Sequence, residues 1–499
     1  MRTRGSKAQG SVLVWTVITI AVLSLLGAEV LRLVSIKYEH ALQTATWQEA
    51  LLGAESGIDL AIMELRKSLF PAPNHAWDGW NNIPGNGVTS YGLTTIPNAG
   101  LAGTPMTIEV NVDAPAALID SNGWQYYRIR TVGTMPITGP ARVTDNKQDT
   151  RLRKLSLRWE RFTNGVLTQH AISAPQVSRR AEAIVRPVSA FGQAIMSRGP
   201  LDLTNQNIVV DSYDSRDSTK STNGLYDPAK RQQNGNIATN GNLVAAGNAY
   251  IYGDVSTNAG TVSGAANITG FQRTDFYQDL MIIQAPSWPS VNASPATVTQ
   301  TTTINASATK NSAASRYILN QISLSGSNTL TIAGAANGGP TYVDIYVSGN
   351  ISVSGSSQIQ INPGVTATIY FKGNVTIAGN GMVNSNNQPG DLRLYGIPPT
   401  GDPDQTGDWQ GDYSGTGASQ VVSLGGNGQI SASLYAPSAD VTINGGGTSG
   451  HVFGSVVGKS VKMTGVTNLH YDEALASSGL IGNYKIVSWF EDNRDSRSH

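Results

Sequence analysis

The run His470-Tyr471-Asp472-Glu473 sets an imidazole beside two carboxylates, the residue types of a general acid–base pair or a metal site. On an extended chain neighbouring side chains point to opposite faces, so only His470 and Asp472 share one. The same residues also suit a hydrogen-bonded cap where a stack of strands ends, and that structural role is the expectation. Asp402, Asp404, Asp408 and Asp412, in TGDPDQTGDWQGDYSGTG, offer oxygen ligands at a spacing compatible with calcium, but the glycine and terminal glutamate of an EF-hand loop are missing. Asp211, Asp214 and Asp217, in VVDSYDSRDS, form a second acidic group. A polar loop is expected at both places, and calcium at 402–412 is the one cofactor left open.

Other chemistry is thinly represented. No glycine loop precedes a lysine at phosphate-binding spacing, and neither His-Glu-x-x-His nor Gly-x-Ser-x-Gly occurs. With no cysteine, thiolate catalysis, disulfides and cysteine-ligated zinc are excluded. Lys+Arg and Asp+Glu both number 34, which gives zero formal charge and no electrostatic case for a nucleic-acid partner. The basic run from Arg151 to Arg161 reads as the wet face of a strand. An enzyme alternative, a polysaccharide lyase or glycosidase on a β-helix, would need carboxylates from successive turns on one face. Most acidic residues of this region fall in the loops just named, so no catalytic residue is assigned and the expectation is not an enzyme.

The elements that would position these residues begin with a long helix. SVLVWTVITIAVLSLLGA, from Ser11 to Ala28, is 18 residues without charge or proline, at the short end for a membrane span. Arg2, Arg4 and Lys7 precede it, which predicts a cytoplasmic N-terminus and export of the rest. Beyond it Trp47, Leu51, Ala54, Ile58, Ile62, Leu65 and Leu69 recur at steps of three and four, one apolar stripe that Phe70-Pro71 ends. Such a helix over 11–70 is a rod of roughly 90 Å, far longer than a bilayer needs. Gly53 and Gly57 form a small-x-x-x-small pair that suits close packing against another helix.

Residues 71–104 read as an irregular connection with Trp77 and Trp80 as anchors. Strand-like alternation follows at 106–112, 124–135, 151–159 and 181–188, marking an antiparallel sheet whose apolar face the helix stripe covers. From Phe191 short β-rich pieces closed by Gly or Asn repeat, and a Gly-Asn-apolar-x-apolar phrase returns at Gly235, Gly241, Gly349 and Gly373. That repetition predicts a β-helix, or solenoid, with a β-sandwich as the alternative. Residues 271–290 predict a short helix and a proline-bounded loop interrupting it.

A basic leader closing on Gly10, Ser11 after it, an uncharged span and then an amphipathic continuation resemble a type IV pilin or a type II secretion pseudopilin. WQEALLGAESGIDLAIMEL is similar to the helix of PilX-type minor pilins. The resemblance implies cleavage by prepilin peptidase between Gly10 and Ser11. At the fifth residue after that point major pilins carry glutamate, and this chain has Trp15, which fits a minor or tip component or a pilin-like protein that never polymerises. The stretch LYAPSADVTINGGGTSGHVFGSVVGKSVKMTGVTNLHYDEAL, at 434–475, resembles an uncharacterised β-solenoid domain found on chains with PilX-like N-termini.

The expected organisation is therefore a leader at 1–10, the long transmembrane and amphipathic helix at 11–70, an α+β pilin-like module completed by 71–190, a β-solenoid at 191–476 and a tail at 477–499. The expected role is structural, in assembly of a pilus-like filament or in surface display and adhesion. The inner membrane, other pilins or pilus machinery, and a surface glycan or protein are its expected partners. A stationary membrane-tethered adhesin in a bacterial envelope is the alternative.

Overall fold

The computed structural model describes residues 9–69, 76–83, 88–97, 105–121, 123–136, 176–205, 208–264, 267–287, 296–306, 316–335, 340–378, 380–399, 420–426, 430–445 and 450–492. The strand expected at 151–159 and the acidic residues 402–412 lie outside them.

Helix α1 (Gln9–Lys67) is one uninterrupted element of 59 residues that includes both Gly10 and Ser11. Its two halves have opposite environments. Every residue from Leu13 to Ala41 is exposed, although this stretch is long and apolar enough to cross a membrane. In the second half Ala50, Ala54, Ile58, Ala61, Ile62 and Leu65 are buried, so the predicted stripe is a packing face, while Trp47 at its start stays half exposed. Past the helix end the buried Glu64 carboxylate accepts the Trp77 amide hydrogen at 2.6 Å and pairs with Lys67 at 2.7 Å.

The face opposing α1 is an antiparallel sheet of β1 (Asn81–Ile83), β2 (Val88–Ile96), β3 (Met106–Asp113), β4 (Tyr127–Pro136) and β5 (Gln176–Ser189), in that order. Alternation decides which side meets the helix: Met106, Ile108, Val110 and Val112 on β3 and Val177, Ala181, Ala183 and Val185 on β5 point to it and are buried. Residues 71–104 are thus not simply irregular, because β1 and β2 extend the sheet. Trp77 and Trp80 meet edge to face with ring centroids 5.1 Å apart, as anchors should.

Three glycines set how closely helix and sheet approach. A methyl group on Gly53 would lie 2.7 Å from Met106 Sδ, and one on Gly57 2.9 Å from Ile108 Cγ2. On Gly133 of β4 it would run into the Ala50 carbonyl oxygen and lie 2.6 Å from the Ala54 nitrogen. The small-residue pair Gly53 and Gly57 therefore packs on the chain's own sheet and not against another helix, a correction that follows from its facing the same side as Ala54 and Ile58.

A second correction concerns the C-terminus. Residues 481–492, expected in a tail, form the strand Ile481–Asp492, which pairs antiparallel with β5 and completes the sheet at six strands. Arg66 on α1 donates to Asn483 Oδ1 at 2.7 Å, and Arg179 on β5 pairs with Glu491. Tyr484 is buried beneath and meets Tyr127 edge to face at 5.7 Å. From β5 the chain passes directly through Ala190 into the second core, where Phe191 is fully buried. The return passage lies alongside, with the Ala190 amide donating to Leu480 O at 2.7 Å.

Residues 191–476, expected as a solenoid, form a strand-rich region with a closed parallel β-barrel around one apolar interior. Its strands pair in rows, and the rows come from two legs of chain. The first leg starts with Ile195–Ser197, Leu201–Asp202 and Val209–Tyr213, which pair with Ile237–Thr239, Leu243–Gly247 and Tyr250–Ile251. These pair in turn with Val255–Ser256, Thr261–Gly264 and Asn267–Ile268. The second leg enters at Ala296–Val298 and proceeds through Arg316–Leu324, Thr341–Val347, Val365–Phe371, Leu392–Gly396, Ile430–Gly445 and His451–Gly465 to Asn468–Asp472, each parallel to the one before. The end of the second leg then pairs with the start of the first: Val456 opposite Ile195, Val461 opposite Leu201, His470 opposite Asp211. Chain order is thus broken at a seam in the middle of the barrel.

The repeated Gly-Asn phrases are corners where neighbouring rows touch. A methyl on Gly349 would lie 2.5 Å from Asn320 O, and one on Gly373 would strike Gly349 O. Beside them Asn350 Oδ1 accepts the Asn374 amide and Asn374 Oδ1 accepts the Val421 amide, both at 2.9 Å. In the first leg Asn236 Oδ1 and Asp254 Oδ1 do the same for the next row, both at 2.7 Å. The expected helix at 271–290 is replaced by the strand Gln272–Arg273 and an extended strap to residue 287. Burial explains the strap: Met281 and Ile283 alternate into the barrel core, a period of two and not of 3.6. The buried Tyr435 hydroxyl holds it by donating to Met281 O at 2.9 Å.

Candidate functional site

Strand Asn468–Asp472 turns Leu469 and Tyr471 into the barrel core and His470 and Asp472 the other way, as the alternation requires. The outward pair is buried as well, because residues 214–235 fold over the outer face. His470 lies on the seam. Its Nδ1 is 2.5 Å from Asp211 Oδ1 across the two legs, and its Nε2 is 2.9 Å from His451 Nδ1. The Tyr226 hydroxyl donates to Asp211 Oδ2 at 2.7 Å while its ring stacks on the His470 imidazole with centroids 3.8 Å apart.

A proton assignment with both imidazoles singly protonated accommodates these contacts. An ionised Asp211 accepts from Tyr226 and from His470 Nδ1, and His470 Nε2 accepts from His451 Nδ1. The lone pair of His451 Nε2 then ends the chain at its outer side. Burial and the neighbouring His470 hold His451 below the ordinary histidine pKa, which favours its neutral form. Burial and the hydrogen bond to Asp211 push the Tyr226 phenol up, so it stays a donor. The result is a hydrogen-bonded relay from Tyr226 through Asp211 and His470 to His451.

Asp472, the partner suggested by sequence, serves elsewhere. Its Oδ1 accepts the amides of Ser215 at 3.0 Å and Ala474 at 3.1 Å, capping the short 3-10 helix Glu473–Ser477. Burial raises its pKa. Glu473 tethers the covering loop, accepting from Ser212 at 2.9 Å, Asn234 at 2.8 Å and Lys220 at 3.0 Å. Asp472 and Glu473 therefore serve structure, as expected, but not as a cap at the end of the stack: their strand has a row on each side, and what they cap is the 3-10 helix and the covering loop. Asp211, Asp214 and Asp217 do not converge: Asp211 holds His470, Asp214 pairs with Arg216 at 3.2 Å, and Asp217 accepts the Thr219 amide at 2.8 Å.

Next to the imidazoles a cavity of about 420 Å³ opens, lined by Tyr213, Leu225, Tyr226, Asn380, Val383, Asn384, Asn387, Ser431 and Phe453. Strand register leads from the imidazoles to the cavity wall: Asp211 is opposite His470, His470 opposite Phe453, and Phe453 opposite Ser431, the last two lining the cavity. None of the lining residues carries a charge. Sequence reasoning missed Tyr226, His451, Phe453 and Ser431. HVFGSVV marks His451 and Phe453 as sharing a face, but nothing local ties them to Asp211.

A family model described as Domain of unknown function (DUF7305) matches residues 316–478. The match takes in most of the second leg and the 3-10 cap, and it leaves out α1, the antiparallel sheet and the first leg. His451, His470, Phe453 and Ser431 are inside it, whereas Asp211 and Tyr226 are outside. No curated protein and no solved structure matches the chain.

Proposed function

We propose that this is a minor pilin-like, envelope-anchored structural protein, with α1 inserted in the inner membrane and the barrel presented outside the cytoplasm. One observation carries the reading. A single helix is uncovered and apolar for its first half and then packed on an antiparallel sheet for its second, the arrangement expected of a pilin-like module. The C-terminal strand belongs to that module, so the barrel is held at its far side by two adjacent passages of chain. On this reading the barrel is a β-solenoid, supported by strands that pair row on row and by the Asn ladders at its corners. Its role is display or adhesion and not catalysis, which the uncharged lining of the cavity supports: a glycosidase needs two carboxylates flanking the bond.

The test is the N-terminal peptide of the native protein, read by mass spectrometry in cells with and without prepilin peptidase. A start at Ser11 that depends on the peptidase is the expected result. A start at Met1 in both removes the filament role. Trp15 favours a second reading, a stationary tethered adhesin, since the glutamate of major pilins is replaced there by an exposed apolar residue; the Met1 result would select it.

A further inference from the structure

We propose that the cavity between the covering loop 214–235 and the turn at Asn387 is a binding site for a neutral saccharide. At about 420 Å³ it falls within the roughly 300–1,000 Å³ of small-ligand sites. Its walls combine two kinds of surface. Tyr226 and Phe453 supply aromatic surface with ring centroids 6.0 Å apart, and Leu225 is exposed beside them. Asn380, Asn387 and Ser431 add polar groups to the same lining. Rings for the C–H face of a sugar and amides for its hydroxyls are the complement of a pyranose. With no Lys, Arg, Asp or Glu in the lining, a phosphate, sulfate or uronate finds no counter-charge, and neither does a cation.

Two of the polar groups have hydrogen-bonding capacity left over. Ser431 is 6% exposed, and its Oγ has no hydrogen-bond partner among the described residues. A buried hydroxyl without a partner is costly to the fold, and a ligand hydroxyl would supply what is missing. Asn384 fixes the Ser431 backbone by donating to Ser431 O at 3.0 Å and to Gln388 O at 2.7 Å. Asn380 uses only its amide nitrogen, toward Ser356 O at 3.1 Å, which leaves its carbonyl oxygen on offer. Asn387 is held in the left-handed region at φ 55°.

The inference deepens the display reading and rests on it for where a sugar would be met; binding itself is independent of leader processing. The experiment uses fluorescently labelled full chain in detergent micelles on an array of neutral hexose and N-acetylhexosamine oligosaccharides, printed beside sulfated and uronate-containing ones. Binding to neutral oligosaccharides is expected. Ser431→Ala and Asn387→Gly should each weaken it by roughly 3- to 10-fold, the loss of one hydrogen bond. Both should leave the thermal midpoint unchanged or higher, since Ser431→Ala removes an unpaired group and Gly accepts the backbone of Asn387. Absence of neutral binding, binding to the anionic probes alone, or wild-type affinity in both variants would overturn the proposal. A failed array with a Ser11 N-terminus would leave the pilin-like reading standing, and the converse holds as well.

Discussion

At Gly133 the backbone of β4 passes directly beneath α1, and the side-chain hydrogen is all the space allows. Gly133→Ala should lower the unfolding free energy by about 1–3 kcal/mol, the range for overpacking, because backbone atoms of Ala50 and Ala54 cannot yield. Gly57→Ala poses a finer balance. Alanine gains about 1 kcal/mol of helix propensity over glycine, but here it presses on the methyls of Ile108, Val110 and Thr131, which can shift. The net change in urea unfolding should be small, and the contrast between the two variants separates backbone from side-chain crowding. His451 sets a pH dependence. Its pKa in the folded state lies below its unfolded value of about 6.5, so between the two the unfolded chain binds more protons. The stability it contributes is complete above about pH 6.5 and is lost as pH falls toward the folded value. Melting temperatures from pH 7.5 down to 5.5 should decline, and His451→Gln should flatten that part of the slope while His470, Asp211 and Tyr226 stay in place.

Elements whose partners lie nearby in sequence were legible. The stripe Ala54, Ile58, Ile62 and Leu65 and the alternation of β3, β4 and β5 foretell the packing of helix on sheet. Ile481–Asp492 has strand character too, yet its partner β5 lies some 300 residues earlier, and no local pattern carries so distant a pairing. Truncation after Leu480 tests its weight. It removes Tyr484 from the core and bares the edge of β5, so amide exchange should quicken across β3, β4 and β5 and leave the barrel rows protected. The strap was misread because LMII at 280–283 fits helix and strand equally when taken alone. Tyr435→Phe removes the hydroxyl that binds it and leaves Met281 O one donor short, at about 1–3 kcal/mol. Hydrogen exchange of residues 274–287 should report the loosening first.

Across the whole molecule, the repeating Gly-Asn corners announced stacked rows, but not that two legs of chain meet head to tail within one barrel. Nor did they announce the candidate site, for Asp211 and His470 become neighbours only through that seam. Residues 316–478, the span that the family model matches, would on their own expose the edge of His451–Gly465 and Asn468–Asp472. Unpaired strand edges of that kind promote association. That fragment should elute as oligomers in size-exclusion chromatography, and a fragment of 190–480 should elute as a monomer. The seam and the C-terminal strand also impose an order in time. As the chain emerges from a ribosome or a translocation channel, the first leg appears early but has no partner on one side until residues 451–472 follow. The sheet beneath α1 waits still longer, for residues 481–492. A chain that stops before residue 451 closes neither body, and one that stops at 480 closes the barrel alone. Integrity of the message is thereby read out as solubility and protease resistance, a full-length check written into the topology.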